Sequence, residues 1–394
     1  MQYREIKPNV YSVGAIDWDR RLFDALIPLP EGTSYNSYLV KGSRKTALID
    51  TVDPSMQDVL LGHLAQLGVD KIDYVVAHHA EQDHSGTLPV IIEKYPAAKI
   101  ITNPKCRGML IDLLQIPEEK IITVDDRETL SLGDKMLEFI YAPWVHWPET
   151  MLTYLKEDKI LFSCDFFGAH LATSETYVSD EGHTDEAAKR YFAEIMMPFR
   201  ASIRKNLEAI SKYDIDIIAP SHGPLHDRPD LIREAYRHWV NDEPKNSVVL
   251  PFVSMHGSTR LMVNYLTEAL MRRGVAVKRF DLTATDSGQL AMALVDAATI
   301  VIGTPTVLAG AHPLAANAAF LANAVRPNVK FVSIIGSFGW GGKTVEQLAA
   351  MLSNLKVEVL EPVLSRGFPK EADLAALDRL AEEISVKHKE NNFI

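Results

Sequence analysis

Val75-Val76-Ala77-His78-His79-Ala80-Glu81-Gln82-Asp83-His84-Ser85-Gly86 carries an apolar strand straight into a cluster of potential metal ligands. His79, Glu81, Asp83 and His84 follow the pattern H-x-E-x-D-H. Side chains at alternate positions leaving a strand point the same way, so the first three are expected to converge on one place, with His84 turned beside them. Ser85-Gly86-Thr87-Leu88-Pro89 suits the turn into a helix. His78 competes with His79 for the first position, but only His79 satisfies the spacing.

Further ligand types stand where other strands end. They are His146 in Ala142-Pro143-Trp144-Val145-His146-Trp147-Pro148, Asp165 after Leu161-Phe162-Ser163-Cys164, and His222 in Pro220-Ser221-His222-Gly223-Pro224. Asp50 closes the upstream strand Thr46-Ala47-Leu48-Ile49-Asp50. Loops at strand ends are where α/β scaffolds place chemistry. The remaining histidines, His63, His170, His183, His238, His312 and His388, read as ordinary residues, and Cys164 as a small buried hydrophobe.

Around this motif the chain divides in two. Residues 1–243 read as an α/β domain dominated by short strands, with candidates at 37–42, 46–50, 73–78, 99–102, 135–140, 151–155, 160–163 and 215–220 and helices at 185–212 and 230–240. The polar run Asn241-Asp242-Glu243-Pro244-Lys245-Asn246-Ser247 interrupts all periodicity and marks a domain boundary. Residues 247–394 then alternate strictly: strands at 247–253, 275–280, 299–304, 330–336 and 357–362, helices at 259–273, 287–297, 313–324, 343–354 and 371–388. Such β-α units specify a doubly wound parallel sheet of the flavodoxin type.

Three loops in this second half follow strands. Ser254-Met255-His256-Gly257-Ser258-Thr259 opens a helix, and hydroxyls with free backbone N–H groups there suit a terminal phosphate monoester. No G-x-x-x-x-G-K-[ST] and no G-x-G-x-x-G occurs, which argues against nucleoside triphosphates and dinucleotides; FMN fits what remains. Pro305-Thr306-Val307-Leu308-Ala309-Gly310 and Ser337-Phe338-Gly339-Trp340-Gly341-Gly342 are expected to border the same crevice, with Trp340 as a candidate neighbour of the flavin ring.

The chain has 394 residues, 47% hydrophobic and 24% charged, an ordinary globular composition. A formal net charge of -11 and the lack of any basic run exclude a phosphate-backbone footprint, so no nucleic-acid partner is expected. No stretch approaches the ~20 apolar residues of a membrane span, and Met1–Val10 lacks the apolar core of a signal peptide; the expectation is a cytoplasmic protein without a membrane partner. Two cysteines are too few for a disulfide framework or an iron–sulfur cluster.

The order H-x-E-x-D-H, His146, Asp165, then Ser-His-Gly, with Asp50 upstream and a flavodoxin-like half following, resembles the flavodiiron proteins. That resemblance implies a metallo-β-lactamase-like αββα sandwich fused to a flavodoxin-like domain. Common hydrolases of the first fold carry histidine where this chain has Glu81. A carboxylate hardens the site and adds negative charge, which favours iron over zinc.

By resemblance, His79, Glu81 and His146 hold one iron, Asp83 and His222 the other, and Asp165 bridges them. His84 is a ligand in some members and is displaced by water in others. Tyr191 reads as a helix aromatic, with proton donation near the irons as the alternative. The implied activity is reduction of dioxygen to water, of nitric oxide to nitrous oxide, or both, at a non-haem diiron centre fed through FMN. A zinc-dependent hydrolase with a flavodoxin passenger is the rival.

The same resemblance implies a head-to-tail homodimer, or a dimer of dimers, in which one subunit's FMN meets the partner's irons. With no cysteine after Cys164, no fused rubredoxin is expected and the donor arrives separately, as rubredoxin or a reduced deazaflavin. Asp24 stands where rubredoxin-dependent members carry a histidine near the irons, a departure that points toward the deazaflavin-using group.

Overall fold

The computed structural model describes residues 2–241 and 243–393. Met1, Asp242 within the expected polar junction and Ile394 at the end of the expected second domain lie outside the described residues. The chain forms two compact units, one of Met1–Tyr191 with Phe199–Val240, the other of Phe192–Pro198 with Asn241–Ile394.

In the first unit, adjacent residues of the strands Thr46–Ile49, Tyr74–Val76 and Lys99–Thr102 enter different cores. Ala47, Ile49, Val76 and Ile101 meet Leu137, Phe139, Met151 and Phe162 of a second sheet. Leu48, Val75 and Ile100 meet Leu60, Leu64, Leu88, Ile91 and Leu110, carried by the helices Gln57–Gln66, Leu88–Lys94 and Pro104–Leu114. A strand apolar on both faces must be covered on both. The first sheet runs Arg4–Lys7, Val10–Ser12, Tyr38–Lys41, Thr46–Ile49, Tyr74–Val76, Lys99–Thr102, Ile121–Thr123, and from Thr46–Ile49 onward its pairs are parallel.

The second sheet runs Thr129–Ser131, Met136–Tyr141, Met151–Leu155, Ile160–Cys164, Ile217–Pro220. Its outward face carries Ile140, Leu152 and Leu161, all buried. On that side Tyr213, just past the helix Arg200–Ile210, donates to Glu138 and packs edge-on against Tyr154. The single helix expected at 185–212 is broken into Glu181–Tyr191, a π turn Phe192–Met196, a 3-10 turn Met197–Phe199, and Arg200–Ile210. Pro198 lacks the N–H and clashes with the preceding turn, which accounts for the interruption.

The second unit holds a parallel sheet in the order Ala276–Asp281, Lys245–Phe252, Ala297–Val307, Phe331–Phe338, with Glu358–Val359 and then Val363–Arg366 following one another end to end along the edge of Phe331–Phe338. This is the flavodoxin order, with the first strand paired to both the second and the third. Met262, Val263, Leu266 and Leu270 of the helix Ser258–Arg272 and Leu377, Leu380 and Ile384 of Glu371–Glu390 fill one face. The strand expected at 357–362 is split in two, because Pro362 offers no N–H to the ladder.

Candidate functional site

Every expected metal ligand falls in the first unit, on loops leaving carboxyl ends of strands. The local geometry differs from simple alternation: Tyr74–Val76 ends before His79, and Gln82–Ser85 is a helical turn. Asp83 and His84 therefore come off adjacent positions of that turn, with Glu81 as its N-cap. His146 lies beyond Met136–Tyr141, Asp165 directly after Ile160–Cys164, and His222 just past Ile217–Pro220.

These side chains gather into two groups around Asp165. On one side, Glu81 Oε2 lies 3.0 Å from His79 Nε2 and 3.1 Å from His146 Nε2, and Asp165 Oδ2 lies 3.6 Å from both rings. On the other, Asp165 Oδ1 lies 3.0 Å from His84 Nε2 and 3.4 Å from His222 Nε2. Asp83 Oδ2 stands 3.2 Å from His222 Nε2, and Oδ1 3.4 Å from His84 Nε2. Each oxygen of Asp165 thus faces a different group.

Both oxygens of Asp83, His84 Nε2 and Asp165 Oδ2 are buried with no hydrogen-bond partner among the described residues. Buried polar atoms are normally paired, and buried charges are costly unless paired or bound to metal. Three carboxylates and four imidazoles converging here, four of whose buried atoms have no partner, fit two cations. Burial alone would lower the imidazoles, but the carboxylates outweigh it: His79 is pushed up to about 10, chiefly by Glu149 and Glu81, His84 to about 9 by Asp165 and Asp83, and His222 to about 10 by the same two. Asp165, although desolvation raises it, is held well below the usual carboxylate range by His84 and His222. The cluster attracts positive charge, as protons or as metal.

Residues behind the ligands fix the rings. Glu149 Oε1 lies 2.8 Å from His79 Nδ1 and accepts from Ala80 N at 3.1 Å. The Glu149 carbonyl in turn accepts from Asn103 Nδ2. His222 Nδ1 donates to the Ser34 carbonyl at 2.7 Å. Both contacts place a ring proton on Nδ1 and turn Nε2 toward the carboxylates, Glu81 for His79 and Asp83 for His222, as the nitrogen that would bind metal. Tyr191 Oη donates to Asp165 Oδ1 at 2.8 Å.

His78 turns away, its ring bonded to Asp50 Oδ2 at 2.7 Å and Thr153 Oγ1 at 2.7 Å. His226 Nε2 lies 3.2 Å from the Phe167 carbonyl. Asp24 is pushed up to about 6 by burial and then by Glu81 and Asp83.

Glu149 and His170 escaped the sequence reading. Glu149 follows His146 by three residues but shows no metal-ligand spacing. His170, read as ordinary, packs 4.8 Å from His222 and 4.9 Å from Tyr191 between ring centres, with Nδ1 on Thr33 Oγ1 at 2.9 Å. Burial, then His222, holds its pKa well below the usual histidine value. A strand end before His170 would have been the only hint, and Asp165 had already claimed it.

In the second unit, the three expected loops border a cavity of about 420 Å³. Met255, His256, Ser258 and Thr259 line it from the first loop, Pro305, Thr306, Val307 and Leu308 from the second, and Ser337, Phe338, Gly339 and Trp340 from the third, with Gly367 added. The other expected residues shape those loops rather than the wall. Ser254 Oγ accepts from Arg260 N at 3.1 Å, and Gly257 adopts φ +91 just before the helix. Leu308 and Ala309 form a left-handed two-residue turn between Val307 and its partner Gly310. Gly342 packs against the Ala309 carbonyl, while Gly341 has nothing near its Cα that a side chain would meet. A crevice at the carboxyl ends of a doubly wound sheet, next to a helix N-terminus, suits a phosphorylated aromatic cofactor.

Comparison with known proteins matches a family model to part of the first half and relatives to nearly the whole chain. A family model described as "ODP family beta lactamase" matches residues 33–223. A nitric oxide reductase of Moorella thermoacetica is 33% identical over 97% of this chain and 98% of its own length. A rubredoxin-oxygen oxidoreductase of Megalodesulfovibrio gigas is 32% identical, covering 98% of each chain. A coenzyme F420H(2) oxidase of Methanothermobacter marburgensis is 31% identical over 90% of this chain and 91% of that one. Among solved structures, rubredoxin oxygen:oxidoreductase from Desulfovibrio gigas superposes with a TM-score of 0.95 at 31% identity, covering 99% of both chains. The flavodiiron protein from Giardia intestinalis gives 0.91 at 29%, covering 99% of this chain and 98% of that one.

Proposed function

This chain belongs to the flavodiiron proteins, an oxidoreductase family, and on that premise we propose that its two ligand groups hold two iron ions and its second-unit cleft holds FMN. The observation that carries the reading is the placement of Asp165, one oxygen toward His79 and His146 and the other toward His84 and His222. A carboxylate so placed suits a bridge between two metals. Glu81 beside His79 supports iron over zinc, since a harder, more anionic site stabilises the ferric state.

When bound, a ferrous pair with a reduced flavin supplies four electrons, the number that takes dioxygen to water; two suffice to couple two molecules of nitric oxide into nitrous oxide. The protein's own part is positioning and proton supply. Glu149 and the Ser34 carbonyl orient the His79 and His222 rings. Tyr191 holds a hydroxyl hydrogen bond on Asp165, and Asp24, raised to about 6 by burial and then by Glu81, can take up and release a second proton close to Glu81. Both gases are small and neutral, so neither needs a charged recognition pocket.

The donor we propose is a separate rubredoxin or a reduced deazaflavin, the donor types that the names of the M. gigas and M. marburgensis relatives carry. Asp24 in place of histidine favours the deazaflavin. We further propose a head-to-tail homodimer, alone or paired into a dimer of dimers. The apolar rim of the flavin cleft supports it: Leu308 is 94% exposed and Trp340 78%, with Met255 and Phe368 also open. Among the described residues no helix is long and apolar enough to cross a membrane; a cytoplasmic site of action is part of the proposal.

The test is elemental analysis and flavin extraction on protein purified without added metal. The expected result is about two irons and one FMN per chain, with gas consumption on addition of a reduced donor. Zinc in place of iron, with hydrolysis of esters or lactams and no gas reduction after iron reconstitution, would return the rival hydrolase.

A further inference from the structure

His78 adjoins a metal ligand in the chain, is wholly buried, and has every polar group engaged away from the metal cluster. Its N–H donates to Asp50 Oδ1 at 2.9 Å and its ring Nδ1 to Asp50 Oδ2 at 2.7 Å, so one carboxylate grips both the backbone and the side chain. A carboxylate accepts, which places a proton on Nδ1. The opposite nitrogen, Nε2, lies 2.7 Å from Thr153 Oγ1, a hydroxyl able to donate or accept. The His78 carbonyl accepts from Met151 N at 3.0 Å.

These partners belong to different sheets. Asp50 follows Thr46–Ile49 of the first sheet, whereas Met151 and Thr153 lie in Met151–Leu155 of the second. Much of what packs between the sheets is apolar, with Ile49 and Val76 against Phe139, Met151 and Phe162. Apolar burial is non-directional, while a hydrogen bond constrains distance and angle. His78 adds that direction at the end of the seam nearest the metal ligands.

Direction matters because the ligands are divided between the sheets. His79, Glu81, Asp83 and His84 follow the first-sheet strand Tyr74–Val76; His146, Asp165 and His222 follow strands of the second. Each group draws on both, since Glu81 meets His146 and Asp83 meets His222, while Asp165 faces His79 and His84. A slip of one sheet along the other would open both groups together. The far end of the ligand loop is pinned from the same place: Thr51 N and Oγ1 donate to the His84 carbonyl at 2.8 and 2.6 Å. Asp50 and Thr51 thus hold the loop 78–84 at its two ends, and His78 carries the tie across to the second sheet.

We infer that His78 is a positioning residue of the metal centre, a polar staple that keeps the first-sheet ligands in register with those of the second sheet. The inference rests on the proposed pair of metals.

The experiment compares the parent with His78→Leu, His78→Asn and Thr153→Val, each as full-length, flavin-loaded protein reconstituted with iron. Leucine removes both ring bonds. Asparagine keeps a donor for Asp50 but is too short to reach Thr153, and valine deletes one hydroxyl far along the chain from any ligand. Release of Fe(II) to a chelator without oxygen is expected to be about tenfold faster or more in His78→Leu, the low end for loss of an outer partner of a metal ligand. It is expected to be several-fold faster in His78→Asn and Thr153→Val, with flavin content at the parent level in all three. The second readout is the electron paramagnetic resonance signal of the half-reduced iron pair, which reports the geometry between the two ions and is expected to change in Thr153→Val as well as in His78→Leu. A lower melting temperature of the metal-free variants with iron release and signal unchanged makes His78 an ordinary core histidine and overturns the inference. Should His78→Leu fail to fold, Thr153→Val decides by the same two readouts. A parent that takes up no metal sinks the metal reading and this inference with it; a parent that takes up two ions, with the variants indistinguishable from it, overturns this inference alone.

Discussion

Tyr191 donates its hydroxyl proton to Asp165 Oδ1 at 2.8 Å, on the oxygen that also faces His84 and His222. A phenol hydrogen-bonded to the shared carboxylate can hold a proton at the centre without itself being a ligand. Tyr191→Phe keeps the ring contacts with His170 and His222 and removes only the hydroxyl. Gas reduction is expected to fall by about 10²-fold, the lower end for loss of a positioned acid, with metal and flavin content unchanged. An unaltered turnover in that variant would remove the hydroxyl from proton supply.

Asp165→Ala should strip both metals rather than one, because its two oxygens face different ligand groups. Flavin content is expected to stay at the parent level, since the cleft lies in the other unit. Metal analysis beside the flavin absorbance reads both at once; retention of either ion would show that Asp165 does not bridge.

Glu149→Gln leaves an acceptor near His79 Nδ1 but takes away the charge that stabilises the Nδ1–H tautomer. Loss of such a partner typically costs ~10–100-fold in metal affinity. Competition against a chelator should show one ion released much more readily than the other, the weakened ion being the one beside His79.

The metal-free protein should lose stability as pH rises from neutral into the alkaline range. His79, His84 and His222 titrate near 10, 9 and 10 in the fold, against an ordinary value of ~6.5 in the unfolded chain. A pKa raised by folding contributes stability that is fully present below the unfolded value and is lost as pH climbs through the folded one. The melting temperature of stripped protein is therefore expected to decline between about pH 6.5 and 10. Metal-loaded protein should show no such decline, and loading at pH 7 should release protons. A flat profile for the stripped protein would contradict the assigned ring environments.

Gly257 adopts φ +91, and nothing lies within 4 Å of the place a Cβ would take, so the constraint there is conformational rather than steric crowding. Gly257→Val puts a β-branched residue in that left-handed region, at a cost of ~1–2 kcal/mol. The loop would then spring from its present course, and flavin affinity should drop about tenfold while iron content holds. Equal loss of iron and flavin would indicate global unfolding instead.

How far the sequence revealed this arrangement depended on whether a signal was local. The strict alternation beyond residue 247 disclosed the doubly wound sheet, because each β-α unit buries its own apolar face. His79, Glu81, Asp83 and His84 could be picked out by spacing, although strand alternation does not explain their convergence: a helical turn, not an extended strand, presents the last two. The hairpins within Arg4–Tyr35 went unread, since their strands are mostly two to four residues long and too short for period-two alternation to register. Glu149 and His170 owe their places to contacts across 70 and 52 residues respectively, the separations from His79 and His222, and no window on the chain contains such a pair.

Pro362 also bears on how the molecule keeps to itself. A parallel sheet ends on each side in a strand whose outer N–H and C=O groups could recruit another chain. Along the Phe331–Phe338 side, Pro362 leaves only the stubs Glu358–Val359 and Val363–Arg366. On the far side, Ala276–Asp281 sets Lys278 and Arg279 in a half-exposed run. One border is chopped short and the other is charged, so strand-to-strand polymerisation finds no long, neutral rail to follow, and contacts between copies are left to side chains.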